Sequence, residues 1–194
     1  MSGLNELPYG LPRPTDDGAC DHLGGMALPH VSLASTSDRM IDVGALGPGR
    51  TVIYCYPRTG VPGEALPDGW DAIPGARGCT AQSCAFRDHA AELADLGASL
   101  FGLSAQTTNH QREMVERLHL SFEVLSDAEL SLTTALRLPT FKVDGMRLIK
   151  RLTLIVKDNA IEHVFYPVFP PDENAGQVIR RLRDNTPKVA GEET

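Results

Sequence analysis

Apolar residues recur along this chain in two rhythms, and the changes between them mark out the elements. Thr51-Val-Ile-Tyr-Cys-Tyr56 is apolar on both faces and is stopped by Pro57, as suits a strand buried in the middle of a sheet. Phe86, Ala90, Leu93 and Ala94 then follow helical spacing up to Gly97, which predicts a helix over about 80–96. Ala98 to Leu103 reads as a second strand. Asn109 to Leu118 reads as a helix with Met114, Val115 and Leu118 on its apolar side. Ser126-Asp-Ala-Glu129 has the spacing of a capping box and predicts a helix through Leu136. The runs 148–156 and 161–165 flank the turn-forming Lys157-Asp-Asn-Ala160 and predict a hairpin, and a closing helix is expected over 173–183. Strands alternating with helices, then a hairpin and a last helix, describe an α/β sandwich with a mixed β-sheet flanked by helices.

Proline and glycine set the boundaries. Residues 1–27 carry Pro8, Pro12 and Pro14 without apolar periodicity and are expected to form an irregular arm. A single domain is expected over 28–184, with a tail over 185–194. Residues 58–78, rich in proline and glycine and holding Trp70, read as a long loop, and loops of this length in compact domains are usually functional or mobile.

Charge and cysteine usage narrow the function. A net charge of −7 argues against nucleic acid or an anionic membrane as the main partner, since both require a concentrated positive surface. No run approaches the apolar length of a spanning helix, and the start has no basic segment leading into an apolar one, so a cytoplasmic location is expected. Four cysteines are too few for a disulfide framework; in a reducing compartment a cysteine pair points to catalysis or metal. A zinc site would need two further ligands at suitable spacing, and His89 and His110 stand isolated. Neither a metal nor a bound cofactor is expected.

The pair that matters is Cys79 and Cys84, in Gly78-Cys-Thr-Ala-Gln-Ser-Cys84 at the start of the predicted helix. In an intact helix, residues five apart lie roughly 8.7 Å from each other at Cα. A disulfide requires about 7 Å or less, so bonding would unwind the first turns and make oxidation a conformational switch. Free backbone donors and the helix dipole favour a thiolate at Cys79, with Arg77 nearby, whereas burial beside Phe86 would keep Cys84 protonated until exposed. These are the properties of an attacking thiol and a resolving thiol. From spacing alone, two small apolar packing residues fit equally well.

Here the residues carry a resemblance. Tyr56-Pro57 at a strand end, the segment Gly78-Cys-Thr-x-x-x-Cys-x-Phe-Arg-Asp88, and the far segment Lys150-Arg-Leu-Thr-Leu-Ile-Val-Lys-Asp-Asn-Ala-Ile-Glu-His-Val-Phe165 resemble peroxiredoxins, especially the Q type (bacterioferritin comigratory protein), over about residues 28–184. The resemblance implies a thioredoxin-like fold with Cys79 as peroxidatic cysteine, Cys84 as resolving cysteine, and Arg151 as the arginine that holds thiolate and peroxide. It implies a thiol-dependent peroxidase that reduces hydrogen peroxide or an organic hydroperoxide, is recycled by a dithiol such as thioredoxin, and works as a monomer or homodimer. The sequence also departs from the family. A threonine or serine usually stands three positions before the cysteine, where this chain has Ala76, with Thr59 and Thr80 as the hydroxyls at hand. The family's glutamate in the cysteine segment is Gln82, which exchanges an ion pair for a neutral hydrogen bond. With no hydroxyl at Ala76, a slow thiol oxidoreductase or peroxide sensor is the alternative, and a redox-inactive binding module on the same fold is a third. The insertion 60–75 is either a passive loop or a lid that shapes the peroxide pocket or receives the reductant. Cys55 is assigned to packing, and Cys20 is left as an alternative resolving thiol.

Overall fold

The computed structural model describes residues 10–185. Its centre is a seven-stranded mixed sheet built from β1 (Ser32–Ser35), β2 (Met40–Asp42), β3 (Arg50–Cys55), β4 (Ala98–Ser104), β5 (Glu123–Ser126), β8 (Leu152–Lys157) and β9 (Ala160–Phe165), in the order β2-β1-β5-β4-β3-β8-β9. β3, β4 and β5 run parallel, and β8 joins β3 antiparallel with Tyr54 opposite Thr153 and Cys55 opposite Leu152. Two strands, β6 (Thr140–Val143) and β7 (Met146–Ile149), form a separate ribbon.

Strand alternation sorts the core into two layers. Ile53, Cys55, Leu103, Leu152 and Leu154 face one side, where they pack with Cys20, Leu23 and Leu28 and with Leu132 of α4 (Ser131–Ala135). Val52, Tyr54, Tyr56 and Ile155 face the other, covered by α1 (Cys79–Asp88), α2 (Ala90–Asp95), α3 (Thr108–Leu118) and α5 (Asn174–Asp184). Tyr54 is the keystone of this second layer. Its ring stacks on Phe86 with centroids 4.4 Å apart, and its hydroxyl donates to Ser83 Oγ at 3.1 Å, so α1 is held to the middle of the sheet. Aromatic contacts of this kind add about 0.5–1.5 kcal/mol to the area they bury.

The predicted architecture and the 157–160 turn are present; Asp158 and Asn159 take left-handed backbone conformations at φ 48° and 65°, as the tight turn between antiparallel strands demands. Three local expectations change. The helix predicted over 80–96 is two helices, broken at His89, whose φ of −106° ends α1. The break offsets the chain too little to disturb the apolar stripe, so periodicity does not reveal it. The capping box at Ser126 does not form, because Ser126 belongs to β5 and its hydroxyl donates to the Gln106 carbonyl at 2.7 Å. Asp127 caps α4 instead, accepting from the backbone N–H of Leu132 at 3.1 Å and of Thr133 at 2.8 Å. The apolar run 148–156 is cut at Lys150-Arg151, with its first part in the β6–β7 ribbon and the rest in the main sheet. Within the arm, residues 11–26 hold no strand or helix, yet Cys20 and Leu23 are buried against the sheet and Ala27 bridges Ala160. The rest of the arm before residue 10, and the tail beyond 185, lie outside the described residues. No helix among the described residues is long and apolar enough to cross a membrane.

Candidate active site

Gly78 sets the site. Its φ of 93° is a left-handed conformation that glycine adopts without cost, and it turns the long loop into the first turn of α1 with Cys79 as the leading residue. Arg151 reaches this turn from the entry to β8, two residues before Thr153, so both side chains project to the helix-covered face of the sheet.

Arg151 is 3% exposed, and its Nη2 lies 3.2 Å from Cys79 Sγ. The same nitrogen donates to the carbonyls of Gly75 at 3.2 Å, Ala76 at 3.2 Å and Arg77 at 2.9 Å, while Nε reaches Gly75 at 3.3 Å. Nη1 donates to Gln82 Oε1. None of the ion pairs among the described residues involves Arg151. A buried cation is costly unless it is paired or hydrogen-bonded, and this one is met by carbonyl dipoles, one amide oxygen and one sulfur. The sulfur is the only one of these partners that can carry a full negative charge. As a thiol, Cys79 donates to the Ala76 carbonyl at 3.4 Å.

Behind Arg151 runs a buried amide relay that sequence reading did not pick out. Gln82 Nε2 donates to Asn174 Oδ1 at 3.0 Å, and Thr153 Oγ1 donates to the same oxygen at 2.6 Å. Gln82, Thr153 and Asn174 are all fully buried. The signal was a polar residue in an apolar stripe: Asn174 leads Ala175, Val178, Ile179 and Leu182 on the core face of α5. Replacing Asn174 with alanine leaves two buried donors without an acceptor, at about 1–3 kcal/mol each. We expect Asn174→Ala to lose about 2–4 kcal/mol in urea unfolding, and a loss below about 1 kcal/mol would show that the relay does not brace the site.

Cys84 lies a turn and a half further along α1, half-buried and outside the Arg151 network. Burial pushes its thiol up, Asp88 adds to the shift, and Arg87 and Arg117 oppose it. All four cysteines are free thiols in this structure. Cys20 and Cys55 pack in the layer on the opposite side of the sheet from Cys79, so the structure does not bring Cys20 to the site. Burial first, and then Asp17, Asp16 and Asp21, push the Cys20 thiol up to about 12, and burial raises Cys55 likewise.

The Thr59 hydroxyl does not take the place left by Ala76. Thr59 is buried and its hydroxyl donates to Gln106 Oε1 at 3.2 Å, while Thr80 follows Cys79 in α1. Ala76 itself is fully buried in a small apolar cluster with Trp70, Val143 and Leu148, packed by Ile73 and Phe141. The insertion therefore carries its own core against the β6–β7 ribbon. Its end, Ile73-Pro74-Gly75, walls an apolar pocket of about 330 Å³ together with Pro14, Phe141 and Arg151. His89 pairs with Glu92, and His110 bonds to the Thr59 carbonyl at 2.9 Å. Among the described residues no cluster of three or more histidine, cysteine or acidic side chains is placed to hold a metal.

Residues 23–179 match the family model described as Redoxin. Over 159 residues the chain is 23% identical to peroxiredoxin Q, chloroplastic, of Oryza sativa subsp. japonica, a match that covers 82% of this chain and 66% of the rice protein. The chain is a Q-type peroxiredoxin of the redoxin family. This peroxiredoxin is also 21% identical to peroxiredoxin Q, chloroplastic, of Sedum lineare, over 82% of its own length and 77% of the relative's. Its fold is similar to the crystal structure of peroxidoxin BcpB from Mycobacterium tuberculosis, with a TM-score of 0.69 at 23% identity over 84% of this chain and 97% of that one. Xanthomonas campestris peroxiredoxin Q superposes with a TM-score of 0.65 at 17% identity, over 90% of this chain and 98% of that one. The peroxiredoxin thus has the thioredoxin-like fold that its sequence implied.

Proposed function

We propose that this peroxiredoxin is a thiol-dependent peroxidase in which Cys79 attacks the peroxide, Cys84 resolves the product and Arg151 holds the reacting atoms. The observation that carries this is the buried Arg151 guanidinium 3.2 Å from Cys79 Sγ, with no carboxylate among the described residues paired to it. In the first step the Cys79 thiolate attacks one oxygen of the hydroperoxide. An S–O bond forms, the O–O bond breaks, and the departing oxygen takes up a proton to leave as water or an alcohol. Negative charge moves from sulfur to the leaving oxygen, and a fixed cation that spans both positions stabilises the transition state more than the ground state. In the second step the Cys84 sulfur displaces water from the Cys79 sulfenic acid and an S–S bond forms. A dithiol donor such as thioredoxin then reduces the disulfide by exchange.

The second step requires α1 to open. The helix keeps the two Cα atoms roughly 8.7 Å apart, beyond disulfide reach. Opening it means separating Phe86 from Tyr54 and Ser83 from the Tyr54 hydroxyl. The proposed place of action is the cytoplasm, where a cysteine pair is kept reducible for catalysis, with a monomer or homodimer as the working unit. A second reading, a slow oxidoreductase or peroxide sensor, is favoured by Ala76, which offers no hydroxyl beside the sulfur.

One equivalent of peroxide followed by peptide mass mapping tests the pairing. The wild type is expected to yield a Cys79–Cys84 disulfide, and Cys84→Ser a sulfenic acid at Cys79 that dimedone traps. A disulfide to Cys20 or Cys55 in the wild type would reject Cys84 as the resolving thiol. Slow peroxide consumption with rapid disulfide transfer to thioredoxin would favour the sensor.

A further inference from the structure

The first residues of the long loop border a second pocket, which the redox site does not use. It encloses about 400 Å³, and Arg58, His110, Leu130, Met146, Arg147 and Leu148 are among its walls. No carboxylate lines it, although the chain as a whole carries a net charge of −7. Cys79 and Arg151 are not among its walls either.

Its two arginines are short of partners. Arg58 is half-buried, and Nη1 donates to the thioether sulfur of Met146 at 3.2 Å, a weak acceptor for a cation. Arg58 Nε is buried and has no hydrogen-bond partner among the described residues. Arg147 is exposed, and Nε donates to the Thr140 hydroxyl at 3.1 Å. Neither forms an ion pair among the described residues, whereas Arg39, Arg50, Arg77 and Arg117 all lie on carboxylates. A guanidinium whose only hydrogen bond among the described residues runs to a thioether gains a matched acceptor when an anion enters the pocket. Ala105, Leu130, Met146 and Leu148 form the apolar part of the wall, alongside the polar Gln106, Thr107 and His110.

We propose that this pocket binds a small amphiphilic carboxylate, its head on the Arg58 and Arg147 guanidinium groups and its tail against Leu130, Met146 and Leu148. Two planar forks suit a carboxylate, which accepts paired N–H bonds from each. The apolar wall discriminates against a bare inorganic anion, and the two cations discriminate against a neutral lipid. The proposal does not depend on the thiol chemistry.

Octanoate is the probe, titrated calorimetrically into Cys79→Ser protein so that oxidation plays no part. Saturable binding is expected, with methyl NMR shifts centred on Met146 and Leu148. Arg58→Gln and Arg147→Gln are each expected to weaken it roughly tenfold or more, the scale of one lost charge-assisted hydrogen bond. Arg147 is exposed, so its variant is expected to melt like the parent and to report binding alone. Octanol binding as tightly as octanoate would overturn the proposal, as would phosphate binding more tightly. Affinity unchanged by Arg147→Gln, or shifts confined to Ile73 and Val168 in the other pocket, would overturn it too.

Discussion

Cys79→Ser is expected to consume hydroperoxide no faster than buffer in a thioredoxin recycling assay, while keeping the stability of the parent to within about 1 kcal/mol. The two halves of this expectation have separate causes. A serine hydroxyl can donate to the Ala76 carbonyl and accept from Arg151 as the thiol does, so the fold loses no hydrogen bond. It supplies no thiolate, however, and the thiolate is the nucleophile. The other cysteines are poor substitutes. Cys20 is pushed up to about 12 and Cys55 is raised by burial, and both pack on the far side of the sheet. Residual consumption above about a tenth of the parent rate would mean that another thiol attacks peroxide, and the assignment of Cys79 would fall.

Arg151→Met is expected to slow the reaction of Cys79 with peroxide by roughly 10²–10³, the range found when one fixed donor to a developing charge is removed. Methionine fills much of the volume but offers no donor, so the loss is electrostatic at the sulfur and structural at the shelf. The carbonyls of Gly75, Ala76 and Arg77 all lose a donor at once. Arg151→Lys separates the two effects, because lysine restores charge as a point without the fork that reaches three carbonyls and a sulfur together. Stopped-flow fluorescence of the single tryptophan, or competition against a second peroxidase, reads the first step directly. Arg151→Met reacting within about tenfold of the parent would remove Arg151 from the chemistry.

Most of this site was legible because its parts carry short-range signals. Gly78-Cys79 before a helical stripe, Cys84 at a fixed offset and Arg151 ahead of a strand are local facts, and the fold brings Cys79 and Arg151 together as expected. The hidden parts depend on long-range packing. That the Thr59 hydroxyl turns to Gln106 rather than to the sulfur follows from β4 and α3 lying beside the loop, which no local pattern shows. The split at His89 was hidden for a different reason, since an apolar stripe survives a one-residue break. The β6–β7 ribbon was readable in principle. Asp144-Gly145, both with positive φ, is a strong hairpin signal, but Leu148 and Ile149 stand only two residues before the apolar run 152–156, so the two strands read as one.

The long loop also bears on how such a protein tolerates changes of length. At its head, Thr59 is fixed to Gln106 by backbone and side-chain hydrogen bonds, and at its foot the Gly75 and Ala76 carbonyls are fixed to Arg151. With both ends clamped, closing a longer segment between them costs little, about 0.6 kcal/mol for each doubling of length. Chain length and sulfur geometry are thereby uncoupled. Residues can accumulate between the clamps, and acquire a core of their own around Trp70, without shifting the atoms at which peroxide is broken.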